Sequence, residues 1–277
     1  MPKVTLITTV FNRPRLADAA IMSVRNQDFT DFEYLIHDDG SDDETKKVLQ
    51  RHALQDKRIK LTLADHVGAL RALDAAHERA EGEYVGWIDS DDLLHPSCVR
   101  ETVEHLDQNP AAGMIYTDQV IINDQNKPLG IGNRAKIPYS PERLLIDFMT
   151  FHFRLFRRPL FEQVGGLDHD LPCAHDYDFC LKLSEVTQIA YLPRPLYLYR
   201  MHRDSITGSK RLRQIEGSAM AVRKALSRRG LDKTHDLDLD LTARFRIKRR
   251  TDAPAADQAK TTSLPTNPGE GKPNLGS

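Results

Sequence analysis

Three aspartates crowd the stretch "DSDD", Asp89, Asp91 and Asp92, directly after the apolar run Tyr84-Val85-Gly86-Trp87-Ile88. A second acidic pair, Asp38-Asp39, closes the run "FEYLIHDD". Carboxylates this close repel one another, and each prefers water to the end of a buried strand. Asp-x-Asp at a point where the chain turns brings both side chains to one place. A hard divalent ion such as Mg2+ or Mn2+ takes oxygen ligands there, and commonly shares one or two carboxylates with phosphate and water oxygens. It would also stabilise a departing diphosphate. The same pattern serves as a solvated acidic loop in which Asp91 and Asp92 cap the next helix. An EF-hand is excluded, because neither "DDGSDDE" nor "DSDDLLHP" has the spacing of acids, Gly and terminal Glu that such a loop needs.

The elements around these acids set their position. Residues 3–10 read as a strand, and Pro14 suits the first position of a helix over 14–27. Strands are expected at 32–39, 58–63, 82–89 and 113–118, with helices at 41–54, 68–80 and 96–108 between them. Ser41 and Glu44 have capping-box spacing for the second helix. Alternating strands and helices imply right-handed crossovers and a mainly parallel sheet with helices on both faces. Ligands of such sheets bind beyond the carboxyl ends of the strands, near a topological switch point. Asp38-Asp39, Asp89 and the residues after strand one, Asn12 and Arg13, therefore belong on one edge. Arg13 reads as a solvated charge.

After residue 118 the pattern changes. A hairpin or excursion fits 119–132, short helices fit 140–145 and 159–164, and a strand fits 154–158. "HDYDFCLKLSE" (175–185) reads as a helix, 188–193 and 196–202 as two strands, and 209–229 as a basic helix. Its charge, with "RFRIKRR" (244–250), reads as a solvated face, with attraction to anionic lipid or an acidic glycan as the weaker alternative. From about residue 251 the composition suits a disordered tail. The expected organisation is a nucleotide-sugar half (1–118), an acceptor half of the same domain (119–230) and a basic linker with tail (231–277).

The whole chain narrows the function. It has 277 residues, 40% hydrophobic and 29% charged, with a formal net charge of −1. That leaves no global basic field for nucleic acid. Cys98, Cys173 and Cys180 form no CxxC or Cys/His pattern, which suits reduced thiols in a cytoplasmic protein. No apolar run approaches the roughly 20 residues of a membrane span. The expectation is a cytoplasmic chain, with peripheral attachment at the inner membrane face left open.

Taken together, "VTLITTVFNRPRLADAAIMSVRNQDFTDFEYLIHDDGSDDET", "AEGEYVGWIDSDD", "HDYDFCLKLSE" and "LYRMHRDSIT" resemble the ordered motifs of family 2 glycosyltransferases with the GT-A fold. The resemblance covers roughly 1–225, and is to both spore-coat-type members and chondroitin- and hyaluronan-type polymerase domains. It implies a UDP-sugar donor, an acceptor hydroxyl on a glycan or other molecule, and Mn2+ or Mg2+. It places Thr9, Phe11, Asn12, Asp38, Asp39, Arg71, Asp89 and Ser90 against the donor, with Asp39 accepting the uracil N3–H. Asp91 and His202 would hold the metal, and Asp176 would be the general base of an inverting transfer. Asp176 also suits a helix N-terminal cap, and His152 suits either the acceptor pocket or the core. Arg203 and Lys210 could neutralise phosphates.

This sequence departs from the family pattern in two places: His175 stands where the residue before the base is usually Glu, and Asp74 stands where Asn is frequent. Near a diphosphate Asp74 needs a salt-bridge partner, with Arg71 the expected one. The "Q-x-x-R-W" motif of processive members is missing. A non-catalytic nucleotide-sugar-binding protein on the same fold, or a nucleotidyltransferase, remain the alternatives. The second lacks a Gly-rich loop after strand one.

Overall fold

The apolar run Val4–Val10 forms β1, flanked on either side by parallel β2 (Phe32–Asp39) and β4 (Tyr84–Trp87). All eight residues of β2 are buried, as expected of a strand covered on both faces. The computed structural model describes residues 1–201 and 211–240. Residues Met1–Asp238 make one compact unit. Outward from β2 lies β3 (Ile59–Ala64). Beyond β4 come β8 (Arg154–Arg157), β6 (Ala112–Ile122), β9 (Gln188–Arg200) and β5 (Leu93–Leu94), with β7 (Pro128–Ile131) paired to β6. Strands β1, β2, β3, β4, β6 and β9 run the same way, and β5, β7 and β8 oppose them.

The period-2 alternation of each strand feeds two cores. Leu6, Tyr34 and Ile36 face α1 (Pro14–Arg25), α2 (Thr45–Gln55) and α4 (Cys98–Gln108), whose Ile21, Leu49 and Val99 fill one side. Ile7, Leu35 and Val85 face the other side, which α3 (Ala69–His77), α6 (His175–Val186) and α7 (Arg211–Arg228) cover with Ala76, Phe179 and Val222. The mainly parallel sheet with helices on both faces is the expected one.

Local chemistry moves some elements. The capping box foreseen at Ser41 and Glu44 is not formed: α2 begins at Thr45, whose N–H donates to Asp43 Oδ1 at 2.8 Å. The Ser41 hydroxyl instead accepts from the Asn12 N–H at 3.0 Å, bracing the loop after β1. The two strands foreseen at 188–193 and 196–202 are one strand, β9. Pro193 and Pro195 shift its register against β6 around Asp118 without ending it, the usual accommodation of proline within a sheet. β6 runs straight through residue 118. The expected tail beyond 251 and the basic stretch 244–250 lie outside the described residues. Basic residues at and just after the end of α7 are paired rather than free: Arg228 donates to Asp178 and Glu185, and Arg229 to Glu185. Among the described residues no helix is long and apolar enough to cross a membrane.

Gly86 lets β8 lie close to β4. A Cβ there would stand 2.5 Å from the Phe153 ring and 3.3 Å from Leu155, both fully buried. Gly86→Ala should therefore destabilise the fold by about 1–3 kcal/mol through overpacking. Urea denaturation of the variant against the parent chain measures it, and an unchanged midpoint would show that the ring has room to yield.

Candidate active site

The strand order β3-β2-β1-β4 reverses direction of growth at β1, so the switch-point crevice opens between the ends of β1 and β4. Because β8 runs antiparallel to β4, its first residue, Arg154, is delivered to that same edge. α6 precedes β9 as a crossover, so its N-terminus and Asp176 also arrive there. The clusters that are far apart in sequence thus converge through topology.

On the β1–β2 side, Asn12 takes a positive φ of 49° and pairs reciprocally with Asp42: its Nδ2 donates to Asp42 Oδ1 at 2.8 Å, and the Asp42 N–H returns to Asn12 Oδ1 at 3.0 Å. Asparagine tolerates this left-handed region better than most residues. Phe11 is 41% exposed and its ring lies 4.3 Å from that of His66. Asp39 is buried, and its oxygens accept from the Val67 N–H at 2.7 Å and the Gly68 N–H at 3.1 Å, with His66 Nδ1 at 3.0 Å. Gly40, φ 78°, allows the close approach of that loop: a Cβ would meet the His66 nitrogen at 2.5 Å. Asp38 is fully buried. Its Oδ2 accepts from the Ser41 N–H, while Oδ1 has no hydrogen-bond partner among the described residues. Thr9 is half-buried at the end of β1, and Arg71 is exposed on α3. Asp74 does not pair with Arg71; it takes His169 Nε2 at 2.5 Å, because the 168–170 turn packs over α3 within reach.

On the β4 side the three aspartates separate by role. Asp92 is buried, and its Oδ1 accepts from the Arg200 N–H of β9 at 2.7 Å. Burial, then Asp89 and Asp91, push its carboxyl well above the ordinary range. Neither Asp91 nor Asp92 caps α4, which starts at Cys98 beyond β5. Arg13 is no solvated charge: its Nη1 meets Asp91 Oδ2 at 2.6 Å, spanning the crevice from β1 to β4. A carboxylate cluster supplies the reason, since it attracts the nearest guanidinium. Ser90 is buried. The Asp89 carboxyl is pushed up to about 7 by desolvation against the cleft wall, then by the like charges of Asp91 and Asp176. Its side chain is still 58% open, so cleft water moderates the rise.

Asp176 lies in the first turn of α6 rather than at its cap, where Ala174 adopts a left-handed φ of 62°. Its Oδ1 accepts from the Tyr177 N–H at 2.9 Å, and its Oδ2 meets Nη1 and Nη2 of Arg154, each at 3.2 Å. His175 turns away, with Nδ1 2.9 Å from the Asp168 carbonyl. His152 is buried, stacks on Tyr197 with ring centroids 4.7 Å apart, and has Nε2 3.6 Å from Asp89 Oδ2. Burial and the neighbouring Arg154 hold its imidazole well below its ordinary range, so it is neutral. The edge therefore brings together Phe11, Asn12, Asp38 and Asp39 on one side and Asp89, Ser90, Asp91 and Asp176 on the other. His202, Arg203 and Lys210 lie outside the described residues.

Sequence reasoning missed Arg154, His66 and Tyr197 as site residues. None of the three carries a readable mark: an arginine between Phe153 and Leu155 in an alternating strand pattern falls on the opposite face from both and reads as an exposed charge.

For a divalent cation, the described residues offer oxygen ligands from Asp91 and Asp89, and no group of three His, Cys, Asp or Glu side chains converges. The donor set fits a hard ion that completes its shell with substrate oxygens, and such an ion would relieve the Asp89 carboxyl, raised first by desolvation and then by the like charges of Asp91 and Asp176.

A sheet of this order with its acids at the switch point defines a GT-A-type fold. It is shared with TarS of S. aureus in complex with UDP-GlcNAc (TM-score 0.63, 20% identity, 75% of this chain and 61% of that one). It is shared too with the mannosyltransferase PcManGT of Pyrobaculum calidifontis in complex with GDP-Man and Mn2+ (TM-score 0.64, 22% identity, 82% and 64%). The chain belongs to glycosyl transferase family 2, whose sequence pattern matches residues 5–165. Among curated relatives, the chondroitin synthase of Escherichia coli is 29% identical over 233 residues, 84% of this chain. The chain spans 34% of that relative's length.

The raised carboxyl of Asp89 has a stability consequence. A folded-state pKa of about 7 against an ordinary 3.8 means that the penalty is absent below both values, grows as pH rises between them, and is complete above about 7. Asp89→Asn should raise the melting temperature at pH 8 and leave it unchanged near pH 4, a gain on the order of 1 kcal/mol once solvent screening is allowed for. Differential scanning fluorimetry across that range checks it; a gain that is the same at every pH would contradict the crowding.

Proposed function

We propose that this chain is an inverting glycosyltransferase that moves a sugar from a UDP-sugar to an acceptor hydroxyl on a glycan or cell-surface precursor, with Mn2+ or Mg2+. The observation that carries the reading is the convergence of Asp89 and Asp91 at the end of β4 with Asp176 at the start of α6, close enough that Asp89 feels the charge of both others. The names of the similar proteins agree: a UDP-GlcNAc complex, a GDP-Man and Mn2+ complex, and a polysaccharide synthase.

The uridine would sit against Phe11 and Asn12, with Asp38 and Asp39 at the base and ribose. Asp38 has the unmatched acceptor oxygen, and Asp39 holds the 66–68 loop beside it. Thr9, Arg71, Asp89 and Ser90 line the remaining donor path. Asp91, with His202, would hold a divalent cation, whose chemistry when bound is to neutralise charge on the leaving diphosphate. Arg13, already on Asp91, adds a positive charge at the same place. Asp176 accepts the proton of the acceptor hydroxyl as its oxygen attacks the anomeric carbon from the face opposite the diphosphate. The bond from that carbon to the diphosphate oxygen breaks as the new one forms, and no covalent enzyme intermediate is required. Asp176 suits this work because it is 38% open to the cleft while its orientation is fixed from behind.

Product analysis with a panel of UDP-sugars and lysate-derived glycans tests the activity directly. Asp176→Asn should lower turnover by roughly 100- to 10,000-fold and leave UDP affinity nearly unchanged. Asp91→Asn should abolish Mn2+-dependent UDP binding in calorimetry. Normal transfer by Asp176→Asn would remove the base assignment, and metal-independent UDP binding by the parent chain would remove the cation.

A further inference from the structure

We propose that Arg154 is a positioning residue for Asp176, fixing the carboxylate in the orientation from which it can take a proton. This rests on the reading of Asp176 as the base.

Arg154 is the first residue of β8, 6% exposed, between fully buried Phe153 and Leu155. Both terminal nitrogens of its guanidinium converge on a single oxygen, Asp176 Oδ2, at 3.2 Å each. The other oxygen accepts from the Tyr177 N–H. Three of the roughly four lone-pair sites of the carboxylate are thus engaged from the protein side, which removes rotation about the terminal bond and leaves the remainder for a ligand. The guanidinium is held in turn: Nη1 lies 3.4 Å from the Thr150 carbonyl and 3.6 Å from Cys180 Sγ, and Nη2 lies 3.4 Å from His152 Nδ1. The neutral His152 ring can accept there.

Energetics argue against a purely structural role. A charge buried with one partner is no better for stability than a packed apolar side chain of similar volume, and is often worse. Here the partner is itself 38% open to the cleft, so the pair is asymmetric: the cation is sealed in the core and the anion faces the substrate. That is the arrangement of a support behind a working group.

The experiment uses the full-length chain, the donor and acceptor found by product analysis, and the variants Arg154→Gln, Arg154→Lys and Asp176→Asn. Arg154→Gln should lower kcat by roughly 10- to 100-fold, the scale of a small misplacement, with the KM for donor unchanged. Arg154→Lys, which keeps the charge but not the fork, should give an intermediate kcat, again with the donor KM unchanged. A parent-like kcat in Arg154→Gln, or a loss that falls on the donor KM instead, overturns the positioning role. Should that variant melt, parent-like kcat in Arg154→Lys overturns it. Normal transfer by Asp176→Asn sinks the base assignment instead, whatever Arg154 does.

Discussion

Like-charge crowding at the carboxyl edge of the sheet is the constraint around which the rest is arranged. Asp38, Asp39, Asp89, Asp91, Asp92 and Asp176 come from two strand ends and one helix start, and the parallel topology leaves them nowhere else to go. The fold answers each differently. Asp39 is met by backbone N–H groups and Asp92 by the β9 backbone. Asp91 and Asp176 each receive a guanidinium, from Arg13 and Arg154. Compensation is incomplete for Asp89, raised to about 7 by desolvation and then by Asp91 and Asp176, and for Asp92, raised well above the ordinary range. A site that keeps an unrelieved charge has sacrificed stability for binding.

The two arginines come from opposite sides. Arg13 follows β1 and reaches across the crevice, partly open to solvent at 33% of its side chain. Arg154 stands on β8, sealed in the core. One can give way to another cation; the other is held by the packing of Phe153 and Leu155 against Gly86. The Asp91 side thus has a partly open countercharge, and the Asp176 side a buried one.

Much of the fold was legible because its signals are periodic. The strands at 4–10 and 32–39, Pro14 at the start of α1, and the acids at strand ends all follow from local rules. What could not be read depends on tertiary partners. Ser41 has the sequence of a cap, yet its hydroxyl is taken by Asn12, 29 positions away. Pro193 and Pro195 look like a break, yet β6 shifts register to keep β9 whole. Asp74 and Arg71 are neighbours on α3, yet His169 arrives from 95 positions away. Of the site, the acids were visible as types and spacing; the cations that hold them were not, because a lone Arg13 or Arg154 carries no spacing to read.

The reversed direction of β8 has a wider consequence. Because its opening residue rather than its last meets the edge, the whole excursion from the end of β6 at Ile122 to Arg154 leaves and returns at the same rim of the sheet. Such a segment can lengthen, shorten or be exchanged without disturbing the strands from β1 to β4. A lineage built on this plan can therefore rewrite one closed stretch of chain while the rim that carries Asp38, Asp39, Asp89 and Asp91 stays as it was.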